Sequence, residues 1–444
     1  MDAYMSAIIG WTVTIFLFIL NTWAISSTIL RFIAKHDIRA TSEGSVAPGW
    51  ERVAEEFRKN LKSGDEKGGA FAVYYRGKKV VDIWGGYADI HARWPWQEYT
   101  LTQCFSITKA FVAITVARFV ERGLLRYEDR IAKIWPEFGQ NGKGDITVKE
   151  LATHTAGVAV IDKLFKLKEI KTNPDNVEYA LASQRPNWEP GKAQGYHALT
   201  FGLYFDEIIR RVDPEHRRIY QIVREEVTQP FGLDFQIGLA KEENHRCARV
   251  VPLERGIWFY FSHMWLPWKY QKILFSAIVR PFSYTSRIGQ NPVDFGFPPI
   301  ERANHPDRRA IRAASSHGFG TARAVAKFYS ILVNGGNYFG RQLLTPKMIE
   351  EISQPHSIGL DKIILSESVF GLGLRLFRRT FKGEDRFIFG HPGYGGQMAM
   401  CDPKYKLSCA YLTNFISMQG DGDDPRYLSL ENAMYECVRD LEGH

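Results

Sequence analysis

Phe105-Ser106-Ile107-Thr108-Lys109-Ala110, FSITKA, opens a segment that continues as FVAITVARFVERG with few polar side chains. At a spacing of three, Ser106 and Lys109 share one helix face about one turn apart, close enough for the amine to meet the hydroxyl. Lysine is almost never buried without a partner, and burial disfavours its charged form, which lowers its pKa towards that of a usable base. Ser106 also has a plain reading as a helix N-cap. Ser-x-x-Lys is short enough to arise by chance, so the rest of the chain has to decide.

A serine nucleophile needs a base, a second polar group that returns the proton to the leaving group, and donors for the developing oxyanion. Two segments offer these. In NWEPGKAQGYHALTFGLYFDEIIRRV, from Asn187, Pro190-Gly191 marks a turn and Tyr196 sits in the loop before a helical pattern. Taken alone, Tyr196 reads as a packing residue in a chain with 20 tyrosines. In Phe389-Gly390-His391-Pro392-Gly393-Tyr394-Gly395-Gly396, glycines around a strand allow a backbone or ligand to approach closely, although an ordinary glycine turn has the same look.

Other catalytic plans find no motif. There is no Gly-x-Ser-x-Gly elbow, which counts against an α/β-hydrolase. There is no His-Glu-x-x-His, and Gly393 to Gly396 lack the Lys-Ser/Thr of a phosphate loop.

Ser106-Ile107-Thr108-Lys109, ITVKELATHTAGV (146 to 158), the Pro-Gly…Tyr196 segment, SSHGFGTARAVAKFYSILVNGG (315 to 336) and His391-Pro392-Gly393 follow one another in an order that resembles the β-lactamase-related serine hydrolases. That family takes in class C β-lactamases, penicillin-binding proteins, family VIII esterases and animal β-lactamase-domain proteins. The resemblance covers nearly all of residues 50 to 440. It implies that Ser106 is the acyl-accepting nucleophile, Lys109 its base and Tyr196 the proton shuttle. His391-Pro392-Gly393 matches the lysine-threonine-glycine strand motif, and the N–H groups of Ser106 and Tyr394 would form the oxyanion hole. No metal or organic cofactor is implied. Two departures stand out: Ala198 occupies the position of an asparagine that would hold the lysine, and His391 replaces a permanent cation. Both point from β-lactams towards an ester or amide, with a small-molecule, lipid-like or peptide substrate. The alternative is an inactive scaffold, self-assembling or ligand-binding.

The strand signals lie at both ends of the chain. GGAFAVYYRGKKVVDIWGGYAD (68 to 89) reads as a hairpin about Arg76-Gly77-Lys78, and RFIFGH, GQMAMCDP and KLSCAYLTN (386 to 414) as antiparallel strands. Helical patterns fall between, at Ser106 to Gly123, Thr147 to His154, Ala198 to Val212 and Ala322 to Asn334. The expected fold is α+β, an antiparallel sheet flanked by helices, with a mainly helical subdomain and lid-like insert at about 106–312. RGIWFYFSHMWLPWKYQKILFSAIVR (255 to 280) reads as packing, as a lid or as an interfacial contact.

At 45% hydrophobic and 24% charged, 444 residues suffice for a large core. A net charge of +8 without a Lys/Arg run or nucleic-acid motif gives no nucleic-acid role. Five cysteines without CxxC spacing indicate neither a disulfide scaffold nor a zinc site. The uncharged run AIIGWTVTIFLFILNTWAI, Ala7 to Ile25, is long enough to cross a bilayer and sets residues 1–45 apart as anchor and linker before a hydrolase domain at 46–444. Arg31, Lys35 and Arg39 after it would place that domain on the cytoplasmic side.

Overall fold

The computed structural model describes residues 41–252, 266–280, 282–293, 300–381 and 384–443. The expected span at Ala7 to Ile25 and residues 255–265 of the aromatic segment lie outside these. Among the described residues no helix is long and apolar enough to cross a membrane.

The main sheet is antiparallel throughout. Its strands are β1 (Ser42–Val46), β2 (Gly68–Tyr75), β3 (Lys78–Asp89), β4 (Ser357–Leu360), β5 (Glu367–Phe370), β6 (Arg375–Phe381), β7 (Glu384–Gly393), β8 (Gln397–Asp402) and β9 (Leu407–Thr413). They lie in the order β1-β3-β2-β9-β8-β7-β6-β5-β4, and Trp94–Pro95 pairs with β3 as a tenth, off this path. The β2–β3 hairpin turns at Arg76 (φ 49°) and Gly77 (φ 80°), the two left-handed residues that a two-residue turn requires. The expected union of the two sequence ends occurs between β2 and β9, where Val73 faces Cys409 and Phe71 faces Tyr411. Ser42 to Ser45, at the end of the expected 1–45 anchor and linker, lie together with Val46 in an edge strand against β3, with Val46 opposite Val81.

Helices cover both faces. On one, α1 (Glu51–Ser63) lies against α6 (Pro425–Leu441); Phe57, Tyr427 and Met434 are buried there with Phe71 and Met400 of the sheet. On the other, α5 (Ala322–Val333) crosses β9, β2 and β8, and beyond it the larger core holds α2 (Thr108–Glu121) and α3 (Thr200–Val212). Every residue of α2 from Thr108 to Ala117 is buried, which is why its sequence shows no polar face. Three short strands, Thr102–Gln103, Gly318–Gly320 and Phe235–Ile237, form a small sheet that leads into the Ser106 turn.

Candidate active site

The Ser106 turn is built by sterics before chemistry. Phe105–Ile107 form a single 3-10 turn ahead of α2, and Phe105 takes φ 45°, a left-handed conformation that a bulky residue adopts only under strong constraint. The constraint is visible on both sides. Thr108 Oγ1 donates to the Phe105 carbonyl at 2.5 Å and accepts from Gly318 N–H at 2.9 Å, while Cys104 N–H donates to the Gly318 carbonyl at 2.8 Å. A Cβ on Gly318 would lie 2.4 Å from Thr108 Oγ1, so only glycine lets this strand come so close. Neither Ser106 nor Ile107 caps a helix through a side chain, which removes the plain reading of Ser106.

Lys109 is fully buried. Its Nζ lies 3.1 Å from Ser106 Oγ, 2.7 Å from the Ala198 carbonyl and 3.0 Å from the Ser315 carbonyl. Among the described residues no carboxylate pairs with it, and burial holds its pKa well below the ordinary 10.5. A neutral amine has two N–H donors and one lone pair. The two carbonyls can only accept, so they take the donors and leave the lone pair for the Ser106 hydroxyl proton. That arrangement can take a proton from Ser106.

Tyr196 lies in the loop ahead of α3, and Lys109 Nζ is 4.8 Å from its ring centre. Its hydroxyl is buried beside Ser106 without closing a hydrogen bond, and burial raises its pKa above the ordinary value of 10.0. His154 and His197 wedge the loop from behind. His154 Nδ1 accepts from His197 N–H at 3.1 Å, and the His154 ring meets the Tyr196 ring edge-on at 5.2 Å. His197 Nδ1 donates to the Gly195 carbonyl at 2.7 Å and Nε2 accepts from Val158 N–H at 3.2 Å, so both its nitrogens are occupied by the fold. Burial takes His197 down to about 4 and His154 well below 6.5, leaving both neutral at pH 7.

His391 sits on β7 opposite Ala399 and is also buried. Its ring centre is 5.9 Å from that of Tyr196. Nδ1 donates to the Pro392 carbonyl at 2.8 Å, which leaves a lone pair on Nε2 that meets no partner among the described residues. Burial, then the nearby Lys109, keep His391 well below 6.5. It is no substitute for a permanent cation. Gly393 ends β7 hard against the Ser106 turn: a Cβ there would stand 2.9 Å from the Cys104 carbonyl and 3.3 Å from Ile107 Cδ1. The Phe105 and Tyr394 rings meet edge-on at 5.6 Å, joining the two segments whose N–H groups the family resemblance implies as oxyanion donors.

The structure therefore gathers Ser106, Lys109, Tyr196, His391, Gly393 and Tyr394 at one place. It adds contributors that the sequence reading assigned no role. Ser315 and Ala198 act through backbone carbonyls, for which side-chain identity gives no signal. Arg375, on β6, is buried against Phe370 and bonds Asp421 through Nη2 at 3.2 Å, while its Nε and Nη1 meet no partner among the described residues. Residues 266–280 and 282–293 bridge the surrounding loops. From α4 (Trp268–Val279), Lys269 pairs with Asp423 at 2.8 Å and Lys272 donates to the Leu365 carbonyl at 3.1 Å. Further on, Thr285 reaches the Ile363 carbonyl at 3.1 Å, and the Tyr284 hydroxyl donates to the Asn187 carbonyl.

An antiparallel sheet with a helical layer, and a serine–lysine turn where they meet, define the fold class of the serine β-lactamases. The chain belongs to the beta-lactamase family, whose model matches residues 53–432. It is 28% identical over 380 residues to the esterase/beta-lactamase LipL of Mycobacterium tuberculosis, covering 84% of this chain and 82% of that protein. It is similar to the solved structure of a family VIII carboxylesterase (TM-score 0.77, 31% identity, 89% of this chain and 100% of that one). A penicillin-binding protein homologue from Caulobacter crescentus is comparably similar (TM-score 0.75, 31% identity, 89% and 100%). The protein is a serine hydrolase of this esterase and β-lactamase type.

Proposed function

We propose that the protein hydrolyses carboxylic esters through an acyl-enzyme on Ser106. The observation that carries this is the buried Lys109 amine, which among the described residues has no carboxylate paired to it and whose Nζ lies within hydrogen-bond distance of the Ala198 carbonyl, the Ser315 carbonyl and Ser106 Oγ. Ser106 Oγ bonds to the acyl carbon as its proton passes to Lys109. The carbon–oxygen bond to the alcohol then breaks as Tyr196 gives its hydroxyl proton to the leaving oxygen and takes back the proton held by Lys109. Water repeats the sequence to free the acid and Ser106. The N–H groups of Ser106 and Tyr394 hold the oxyanion; losing such a donor costs about 2.7–4 kcal/mol of transition-state stabilisation.

Neutral His391 argues for substrates without the carboxylate of a β-lactam. The stretch at 266–280 and 282–293, with exposed Trp268, Phe275 and Phe282, argues for a hydrophobic or lipid-like acyl group under a lid. The sequence run Ala7 to Ile25 supports a membrane anchor for this activity, with the hydrolase domain on the cytoplasmic side.

The test is fluorophosphonate labelling of the protein with mass mapping of the modified peptide. Probe on Ser106, lost in Ser106→Ala and slowed in Lys109→Ala, is the expected result. A folded protein that takes no label would instead make this a ligand-binding or scaffold member of the family.

A further inference from the structure

The start of the C-terminal helix carries a buried charge cluster outside the machinery described so far. Arg426 is 4% exposed, and its guanidinium grips Asp424 with two hydrogen bonds, Nε to Oδ1 at 3.0 Å and Nη2 to Oδ2 at 2.9 Å. Glu66, also buried, lies 3.8 Å from Nη1. A helix-start ion pair would need no more. Here the same guanidinium also donates to two backbone carbonyls, Nη1 to Phe415 at 2.9 Å and Nη2 to Gly395 at 3.2 Å.

The Gly395 carbonyl belongs to the turn between β7 and β8, directly after Tyr394. Gly395 (φ 92°) and Gly396 (φ 97°) both have backbone angles that favour glycine, and two consecutive glycines make a turn soft unless something outside fixes it. The cluster supplies that fixation. A Cβ on Gly396 would lie 2.2 Å from Asp424 Oδ2, so the turn is seated directly on the carboxylate. Ser417 N–H gives the Gly395 carbonyl a second donor at 3.1 Å, and the Ser417 hydroxyl donates to Asp424 Oδ2 at 2.5 Å. On the other side of the hairpin, Gln397 Nε2 donates to the Gln103 carbonyl at 2.9 Å, tying it to the segment that leads into Ser106.

We infer that Arg426, held by Asp424, is a positioning residue for acyl transfer: it fixes the Tyr394–Gly396 turn so that the Tyr394 N–H meets the oxyanion formed at Ser106. The inference rests on the Ser106 acyl-enzyme reading. Arg426 touches no substrate; it acts through the Gly395 carbonyl. A lysine at 426 keeps the charge but, as a point charge on a flexible stem, cannot bridge Asp424, Phe415 and Gly395 together.

The test compares the unsubstituted protein, Arg426→Lys and Asp424→Asn in hydrolysis of p-nitrophenyl butyrate, normalised to the natively folded fraction from far-UV circular dichroism. Asp424→Asn keeps an oxygen for the helix N-cap bond from Arg426 N–H, so it serves where Arg426→Lys folds poorly. The expected result is a fall in kcat of about 10²-fold per folded molecule with KM within about twofold, the pattern of a misplaced transition-state donor. Unchanged kcat in folded variants, or a change confined to KM, would overturn the inference while leaving Ser106 in place. An unsubstituted protein that neither turns over ester nor takes the fluorophosphonate label overturns both readings.

Discussion

The Ala198 carbonyl accepts a hydrogen bond from Lys109 Nζ at 2.7 Å, so a position whose side chain cannot hold the lysine holds it through the backbone. Restoring an amide therefore has little to add. Ala198→Asn should change the fluorophosphonate labelling rate by less than about threefold, whereas Lys109→Met, which removes the base, should lower it by about 10²–10⁴-fold. Stopped-time labelling of the three proteins checks both numbers, and a large gain from Ala198→Asn would contradict the donor assignment.

Gly393 brings the end of β7 close against the Ser106 turn. In Gly393→Ala the new methyl meets backbone at the Cys104 carbonyl, 2.9 Å away, where nothing can yield cheaply. Thermal denaturation should show a loss of about 1–3 kcal/mol, and labelling of Ser106 should slow by about 10²-fold. Labelling at the original rate would mean that this contact does not set the geometry of the turn.

His391→Lys puts a cation where the neutral imidazole now stands. A charged hydrogen bond to a substrate carboxylate is worth about 1.5–3 kcal/mol, so kcat/KM for a carboxylate-bearing β-lactam should rise about 10–100-fold. An uncharged p-nitrophenyl ester measured beside it should show no such gain. Equal gains on both would show that position 391 does not discriminate by charge.

Four buried histidines make stability depend on pH. His154 and His391 are held well below 6.5, His197 at about 4 and His317 at about 3, each chiefly by burial. The unfolded chain binds their protons near 6.5 while the folded one does not, so the unfolded state holds more protons below that point. Stability is therefore full well above 6.5 and falls as pH drops below it, with His197 and His317 each contributing up to about 1.4 kcal/mol per pH unit until their folded values are reached, and His154 and His391 acting in the same direction. Urea midpoints between pH 7.5 and 4.5 test this; a flat profile would mean that these rings titrate normally in the fold.

The hairpin at Arg76-Gly77 and the strands between 384 and 413 were legible because turn residues punctuate alternating or β-branched runs. The Ser106–Lys109 pair was legible because a lysine in an apolar helix is physically anomalous. Strands β4 to β6 were not: Ser357–Leu360 is short and half exposed, and although it pairs with the nearby Glu367–Phe370, neither run carries the alternating or β-branched pattern that marks a strand. Ser42–Val46 was hidden by its polar, glycine-bearing sequence, since an edge strand needs only backbone partners. At the site, what escaped was whatever acts through the main chain, as at Ala198 and Ser315, or through long-range packing, as at Arg375 and Arg426.

The pairing of β2 with β9 also governs how this molecule comes into being. More than 300 residues separate Val73 from Cys409, and the central strands of the sheet cannot close until the last of them has left the ribosome. Such non-local pairing is intrinsically slow. During that interval the largely apolar α2 has no shelter, so the same helix that buries Lys109 in the finished fold is a segment a nascent chain must keep from aggregating. Chains shortened by even a few tens of residues at the C-terminus should accumulate as insoluble product rather than as weakened hydrolase.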